Sequence, residues 1–119
     1  MIKNYDNYFL AVEDYAAARK FYAETLGLPV KFEFAEMGMV AFAVGDEEPA
    51  IILKDKKKFP DAQTAVWIEV DDARKMYADL QGRGISFRSA PFRIHTGWAV
   101  EFTDPDGNLL GFTDYLKER

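Results

Sequence analysis

The second half of this 119-residue chain repeats the pattern of the first half, and this duplication constrains the fold more than any other feature. The segment NYFLAVEDYAAARKFYAETLGLPV begins at Asn7, and AVWIEVDDARKMYADLQGRGISF begins at Ala65. Each segment predicts a strand, an acidic helix start, an amphipathic helix, a glycine and a further strand. Because there are only two copies, the duplication indicates a paired unit and excludes a solenoid array.

Each copy continues with further strands, so the predicted order is βαβββ twice. The strands of the first copy are expected at about Tyr5–Glu13, Pro29–Ala35, Gly38–Val44 and Pro49–Lys54. Those of the second copy are expected at about Ala65–Asp71, Ile85–Arg88, Gly97–Thr103 and Asn108–Thr113. We therefore expect an α+β fold in a single domain, residues 1–119, built from units at about 5–54 and 64–115.

The two helices carry clear start signals and apolar stripes. Asp14 and Asp72 precede them, and a carboxylate at that position can accept from the unpaired amides of the first turn. In the first helix the expected core side is formed by Tyr15, Ala18, Phe21, Tyr22 and Leu26. In the second helix it is formed by Ala73, Met76, Tyr77 and Leu80, which follow helical spacing.

Charge and composition exclude several classes of function. The net charge is −5, and the one basic cluster, Lys54–Lys58, is interpreted as a solvated loop, so no nucleic-acid partner is expected. The absence of cysteine excludes disulfides, thiolate metal sites and cysteine nucleophiles. No apolar run approaches the roughly 20 residues that a membrane span needs, and the first residues lack a secretion pattern. We expect no membrane partner and a cytoplasmic location.

Two short motifs point to a known family. The segment FYAETLGL closes the first helix, and DPDGN precedes the last strand. Together with the two βαβββ copies they resemble the vicinal oxygen chelate superfamily, which includes glyoxalase I, extradiol dioxygenases, fosfomycin-resistance thiol transferases and bleomycin-resistance proteins. The resemblance covers nearly the whole chain. It implies that the two units form a cup of curved sheets with the helices on the outer side.

The resemblance also implies where a metal would bind, and these positions carry the wrong residues. In the family the ligands come from the first strand, the fifth strand and the last strand, on the inner face of the cup. The corresponding residues here are Asn7, Ala65 and Gly111. A divalent ion needs several converging donor atoms, and alanine and glycine supply none. We therefore expect no metal and no other cofactor.

Strand alternation predicts which side chains line the inner face. They are Asn7, Phe9 and Ala11 from the first strand, Ala65, Trp67 and Glu69 from the fifth, and Leu109, Gly111 and Thr113 from the last. This aromatic and small-residue lining suits a flat apolar ligand. The alternative is that Phe9 and Trp67 fill the cup as core residues. The predicted ligand-binding residues are Asn7, Phe9, Trp67, Glu69, Trp98 and Gly111.

Three residues are weak candidates for catalysis. His95 is the only histidine and lies before the seventh strand, where it could act as a base or stay an ordinary surface residue. Glu69 is predicted to point inward, with a position at the solvent-exposed rim of the cup as the alternative. Glu101 would be a candidate general base if it points inward and a plain surface charge if it points outward, and the second orientation is slightly favoured. Trp98 is expected at the cup mouth or at a dimer contact.

Two functions from different classes remain open. The first is a metal-independent protein that encloses an aromatic or amphipathic small molecule, as bleomycin-resistance members of the family do. The second is a lyase, isomerase or dioxygenase with a non-standard site, either a relocated metal held by His95, Glu101 and Asn7 or a metal-free acid. A third possibility is a regulatory or structural module whose cup is filled by its own side chains. The resemblance implies a homodimer in each case.

Overall fold

A computed structural model describes residues 1–116, and the chain divides into two compact units. The N-terminal unit runs from Asn7 to Thr64. The C-terminal unit combines Met1–Asp6 with the chain from Ala65 onward. No helix among the described residues is long and apolar enough to cross a membrane.

The N-terminal unit has the predicted βαβββ order. Its elements are β1 (Ile2–Val12, of which the first five residues belong to the other unit), α1 (Tyr15–Lys20), β2 (Val30–Phe34), β3 (Met39–Phe42) and β4 (Ala50–Asp55). The strand order is β2-β3-β4-β1. β1 and β4 run parallel, and the other neighbours run antiparallel. The first and last strands of the unit are therefore side by side.

The C-terminal unit repeats this topology with one strand more. Its elements are β5 (Ala65–Val70), α2 (Ala73–Leu80), β6 (Ser86–Phe87), β7 (Phe92–Ile94), β8 (Gly97–Thr103) and β9 (Leu109–Thr113). The order is β5-β9-β8-β6, with β7 also pairing β8, and β5 runs parallel to β9. The predicted α+β class is confirmed.

The short strand β7 was not predicted. Arg93 pairs with Trp98, and Ile94 pairs with Gly97, so His95 and Thr96 form a two-residue hairpin turn. The sequence FRIHTG lacks the asparagine or glycine at the turn itself that usually announces such a hairpin. The sequence pattern therefore gives no signal for this strand.

Each unit buries its own core beneath its helix. In the N-terminal unit the buried residues Val40, Phe42 and Leu53 pack against α1 and its extension. In the C-terminal unit the core is formed by Val70, Ala73, Val100 and Phe112, with Met76, Tyr77 and Leu80 of α2 packed against it. The apolar stripe predicted for the second helix is confirmed.

The apolar stripe predicted for the first helix is wrong at two residues. Phe21 and Leu26 are 47% and 53% exposed, although both were expected in the core. From Phe21 to Thr25 the chain continues as a π-helical turn, in which the Leu26 amide donates to the Phe21 carbonyl. Because a π-turn holds more residues per turn, it rotates the following side chains away from the face that α1 sets.

Both helices begin at the predicted caps, and α2 has a second one. Asp14 accepts from the Ala17 amide at 3.0 Å, and Asp72 accepts from the Lys75 amide at 3.1 Å. Asp114, which is fully buried, reaches α2 from the end of β9 and accepts from the Ala73 amide at 2.7 Å. Its other oxygen accepts from the Trp98 amide at 2.9 Å. One buried carboxylate thus joins α2, β8 and β9.

The Asp-Pro-Asp-Gly-Asn segment forms the predicted turn between β8 and β9. Asp104 accepts from the amides of Asp106 and Asn108 and from the Asn108 side chain, each at 2.9 Å. These bonds, with the Asn108 side chain as the largest contribution, hold the pKa of Asp104 below its usual value. The motif therefore has a structural role.

Glu33 on β2 ties the sheet of the N-terminal unit to α1. It pairs with Arg19 at 2.8 Å through both oxygens and accepts from the Tyr15 hydroxyl at 2.9 Å. The hydrogen bond from Arg19 lowers the pKa of Glu33, while burial and the same carboxylate raise the pKa of Tyr15 to about 12. Both shifts mean that folding favours ionised Glu33 and neutral Tyr15.

The variant Asp114→Asn is expected to lower the free energy of unfolding by about 1–3 kcal/mol, because the amide group offers N–H where Ala73 needs an acceptor. Urea unfolding at neutral pH measures this change. Asp106→Asn, at an exposed position of the turn, is the matched control and should change stability by less than about 0.5 kcal/mol. Equal effects of the two variants would contradict the capping role.

Glu33→Gln is expected to lower the free energy of unfolding by roughly 0.5–1 kcal/mol at pH 7, a modest value because the pair is partly exposed. The folded-state pKa of Glu33 lies below its ordinary value of 4.5, so the stabilisation is present above that pH. It is lost as the pH falls through the folded-state pKa. Urea unfolding of both proteins between pH 7 and pH 3 should show the difference shrinking, whereas exposed Glu47→Gln should show none.

Candidate functional site

The first family ligand position, Asn7, is engaged in holding the sheet. Its side-chain oxygen accepts from the Ala50 amide at 3.0 Å, and the two residues are register partners of the parallel pair β1 and β4. The amide oxygen therefore secures the start of β4. The second position, Ala65, is 3% exposed and carries no donor atom.

The third position, Gly111, lies directly against an indole ring. Gly111 and Trp67 are register partners in the parallel pair β9 and β5. A Cβ atom built on Gly111 would lie 2.6 Å from both Cδ1 and Nε1 of Trp67. Real side-chain carbons do not approach so closely, so the indole occupies the space that any side chain at residue 111 would need.

Glu101 lies beside these two residues, which corrects the slightly favoured expectation of an outward surface charge. Glu101 and Gly111 are register partners of the antiparallel pair β8 and β9. The Trp67 Nε1–H donates to Glu101 Oε2 at 3.0 Å. Val100 packs into the core under α2, so alternation directs Glu101 to the opposite face, the one that carries Trp67. An acid thus stands one strand away from Gly111.

Arg88 is the counter-ion of Glu101. Its Nη1 lies 3.9 Å from Glu101 Oε1, with the two side chains 35% and 22% exposed. The Arg88 amide also donates to the Glu101 carbonyl at 2.9 Å, which fixes the backbone of Arg88 but leaves its long side chain adjustable. We call the group formed by Trp67, Arg88, Glu101 and Gly111 the carboxylate cluster.

Glu69 lies on the same face of β5 as Trp67, as predicted from alternation. Val70 belongs to the core under α2, so Glu69 and Trp67 point to the other face. Its carboxylate lies 3.6 Å from the Lys3 ammonium, and its side chain is 26% exposed. Glu69 is therefore a carboxylate with a surface ion pair, two residues away from the indole that contacts Glu101.

Trp98 does not lie with the other predicted binding residues. It packs against the core cluster under α2, so it is on the opposite face of β8 from Glu101. The Arg74 guanidinium lies 4.2 Å from the centre of its ring, and that of Arg93 lies 5.4 Å from it. The expectation of a residue at the cup mouth is corrected, because the strand register sends residues 98, 100 and 102 to the helix side.

Phe9 is a buried residue of the N-terminal unit. It is 6% exposed, on the face of β1 opposite the core residues Leu10 and Val12. The Lys54 ammonium lies 4.7 Å from the centre of its ring and 5.1 Å from that of Phe59. Trp67 is also 6% exposed. For both rings this burial favours the core interpretation over an open stacking surface.

His95 is exposed at the turn between β7 and β8, away from the carboxylate cluster. Glu101 lies six residues further along the chain, and a strand rises about 3.3 Å per residue. The two side chains are therefore separated by most of the length of β8. The hypothesis of a relocated metal held by His95 together with Glu101 is wrong.

Residues 4–112 match the family model described as the Glyoxalase/Bleomycin resistance protein/Dioxygenase superfamily. The chain belongs to this superfamily. The uncharacterized protein YraH of Bacillus subtilis (strain 168) is 28% identical over 115 residues, which covers 85% of this chain and 90% of that protein.

Solved structures agree on the fold. A glyoxalase/bleomycin resistance protein/dioxygenase superfamily member from Vibrio splendidus 12B01 has a TM-score of 0.72 and 19% identity, covering 96% of this chain and 99% of that one. Methylmalonyl-CoA epimerase from Mycobacterium tuberculosis has a TM-score of 0.72 and 20% identity, covering 95% and 88%. At this level of identity the likeness shows the fold alone.

The residues of this superfamily member do not fit the family's metal. Asn7 is engaged by the Ala50 amide, Ala65 has no donor, and the space at Gly111 is filled by Trp67. Among residues 1–116, no three or more histidine, aspartate or glutamate side chains are grouped so that they could hold a metal ion. We therefore derive no chemistry through a metal.

The carboxylate cluster was only partly foreseen. Trp67 and Gly111 were placed on one face, but the pairing of Glu101 with Arg88 was missed. The signal was available: Trp98, Val100 and Phe102 alternate as apolar residues and would occupy the helix side of a strand. That alternation leaves Glu101 on the other face. Arg88 follows a strand of only two residues, whose register no sequence pattern fixes.

Gly111→Ala is expected to lower the free energy of unfolding by about 1–3 kcal/mol, because the new methyl group forces the Trp67 ring to move. The same substitution made together with Trp67→Val should cost markedly less, which a double-mutant cycle by urea unfolding measures. Gly82→Ala is the control, since a Cβ there meets nothing within 4 Å. Additive effects of the Gly111 and Trp67 substitutions would contradict the proposed contact.

Proposed function

We propose that this protein is a metal-independent small-molecule-binding protein of the bleomycin-resistance-like type. Its ligand is an aromatic or amphipathic molecule that meets the carboxylate cluster on the face of β5, β9 and β8 opposite α2. The protein holds the ligand without changing it.

The single observation that carries this proposal is the position of the Trp67 indole over Gly111. In the superfamily a metal ligand belongs at this position, and here an aromatic ring fills its space and donates to Glu101. A site with one fixed carboxylate next to an indole can orient a small molecule by hydrogen bonding and apolar contact. Within residues 1–116, Glu101 belongs to no group of three or more acids or histidines that could hold a metal ion.

The burial of the indole limits how the ligand is held. Because Trp67 is 6% exposed, it acts as a fixed wall of the cluster. Glu101, at 22%, is the acidic side chain of the cluster that a ligand can reach, and its counter-ion Arg88 is 35% exposed. The ligand's polar group is therefore expected to meet Glu101, and its apolar part is expected to lie beside the edge of the indole.

A metal-free enzyme is the second candidate, and the fixed position of Glu101 is the observation that favours it. A carboxylate held by one donor and partly exposed can remove a proton from a bound molecule. Solved structures of the same fold include the enzyme methylmalonyl-CoA epimerase. Under this alternative, turnover would occur without added metal, and Glu101→Gln would abolish turnover while leaving substrate binding.

The proposal predicts that zinc, nickel, manganese and iron(II) leave the melting temperature unchanged at stoichiometric and ten-fold excess concentrations, since ligand binding raises stability only where a site exists. Thermal unfolding of protein treated with chelator measures this. The same assay with a panel of aromatic and amphipathic compounds should find binders that raise the melting temperature. Trp67→Phe should weaken them, and Trp98→Phe is the matched control.

A specific shift with one metal at stoichiometric concentration would contradict the proposal. Chemical conversion of a bound compound would favour the enzyme instead. The expected homodimer remains a prediction, which the molar mass from light scattering can check.

A further inference from the structure

We propose that Glu101 is the specificity-determining residue of this site and that it selects a ligand with a planar cationic head, such as an amidinium or guanidinium group. Arg88 is the internal cation that such a ligand replaces. This inference rests on the proposed binding function and names the chemical class of its ligand.

The two oxygens of Glu101 are held differently. Oε2 accepts from the Trp67 Nε1–H at 3.0 Å, a normal hydrogen bond from a buried ring. Oε1 faces Arg88 Nη1 at 3.9 Å, which is an ion-pair distance but beyond a hydrogen bond. One oxygen is therefore fixed by the fold, and the other keeps its capacity to accept a strong bond.

Arg88 is suited to be displaced. Its guanidinium could approach a carboxylate with two parallel hydrogen bonds, yet it does not do so here. Its side chain is 35% exposed, and ion pairs of this length and exposure contribute little to stability. Because its backbone is bonded to the Glu101 carbonyl, the side chain can swing into solvent without disturbing the strand.

The residue opposite Glu101 adds no side chain beside the carboxylate. Gly111 is its register partner, and the Trp67 ring lies over that glycine. A guanidinium-like head presents parallel N–H donors that match a carboxylate and is more weakly hydrated than an ammonium, so a planar cation suits Glu101 better than an ammonium does.

Glu69 gives the structure an internal comparison. It lies on the same face of the same unit, is similarly exposed at 26%, and is paired with Lys3. It accepts from no indole and faces no glycine in the register of β5 and β9, where its partner is Thr113. If general negative charge attracted the ligand, Glu69 and Glu101 would be equivalent. The proposal assigns the recognition to Glu101.

The experiment uses three matched probes: benzamidine, which is a planar cation, benzamide, which is neutral, and benzoate, which is an anion. The full-length protein labelled with ¹⁵N shows an indole N–H signal for each of its two tryptophans, assigned with Trp67→Phe. Benzamidine should shift the Trp67 signal saturably and leave the Trp98 signal in place. Benzamide should bind at least about ten-fold more weakly, and benzoate weaker still.

The variants separate this inference from its alternatives. Glu101→Gln keeps an acceptor for Trp67 but removes the charge, and it should weaken benzamidine by at least about ten-fold while changing benzamide little. Glu69→Gln should stay within about two-fold of the wild type, as expected for a rim charge. Arg88→Gln should strengthen benzamidine, because the competing cation is gone; a purely structural role of Glu101 predicts no such gain.

Three outcomes would overturn the inference. The first is equal affinity of wild type and Glu101→Gln for benzamidine. The second is the absence of a benzamidine shift up to about 10 mM. The third is benzamide binding as tightly as benzamidine, which would rule out the choice of a cation while leaving the binding function standing. Failure of the binding function itself would appear separately, as the absence of any stabilising compound in the thermal panel.

Discussion

The contact between the Trp67 indole and Gly111 is the constraint on which the candidate site depends. Only a residue without a side chain leaves room for the ring, and the ring in turn directs its N–H to Glu101. The position that supplies a metal ligand elsewhere in the superfamily is thus filled from a neighbouring strand. The Trp67 ring that occupies the place of the metal donor also fixes the Glu101 carboxylate beside it.

The two units of the scaffold share one arrangement of strands and helix. Each unit places its first strand parallel to its last, and its helix packs on one face of the sheet. Asp114 shows how this arrangement is secured, since one buried carboxylate bonds the start of α2 and the start of β8.

Much of the fold could be predicted because its signals are local. Strand alternation, helix caps at Asp14 and Asp72 and the turn at Asp104 each depend on residues close in the chain. Two features were missed because the sequence carries no usual signal for them. The chain continues from α1 as a π-helical turn over Phe21–Thr25, and β7 pairs with β8 through a hairpin whose turn residues lack asparagine and glycine.

The sequence by itself determined the duplication, the α+β class and the lack of side-chain donors at Ala65 and Gly111, because these are properties of residue type and spacing. The tertiary structure decided what stands in place of the donors. The alternation along β8 indicates the face that Glu101 takes, but its contacts with Trp67 and Arg88 depend on the pairing of different strands and on packing beneath α2. Those contacts join residues on different segments of the chain, so no local pattern encodes them.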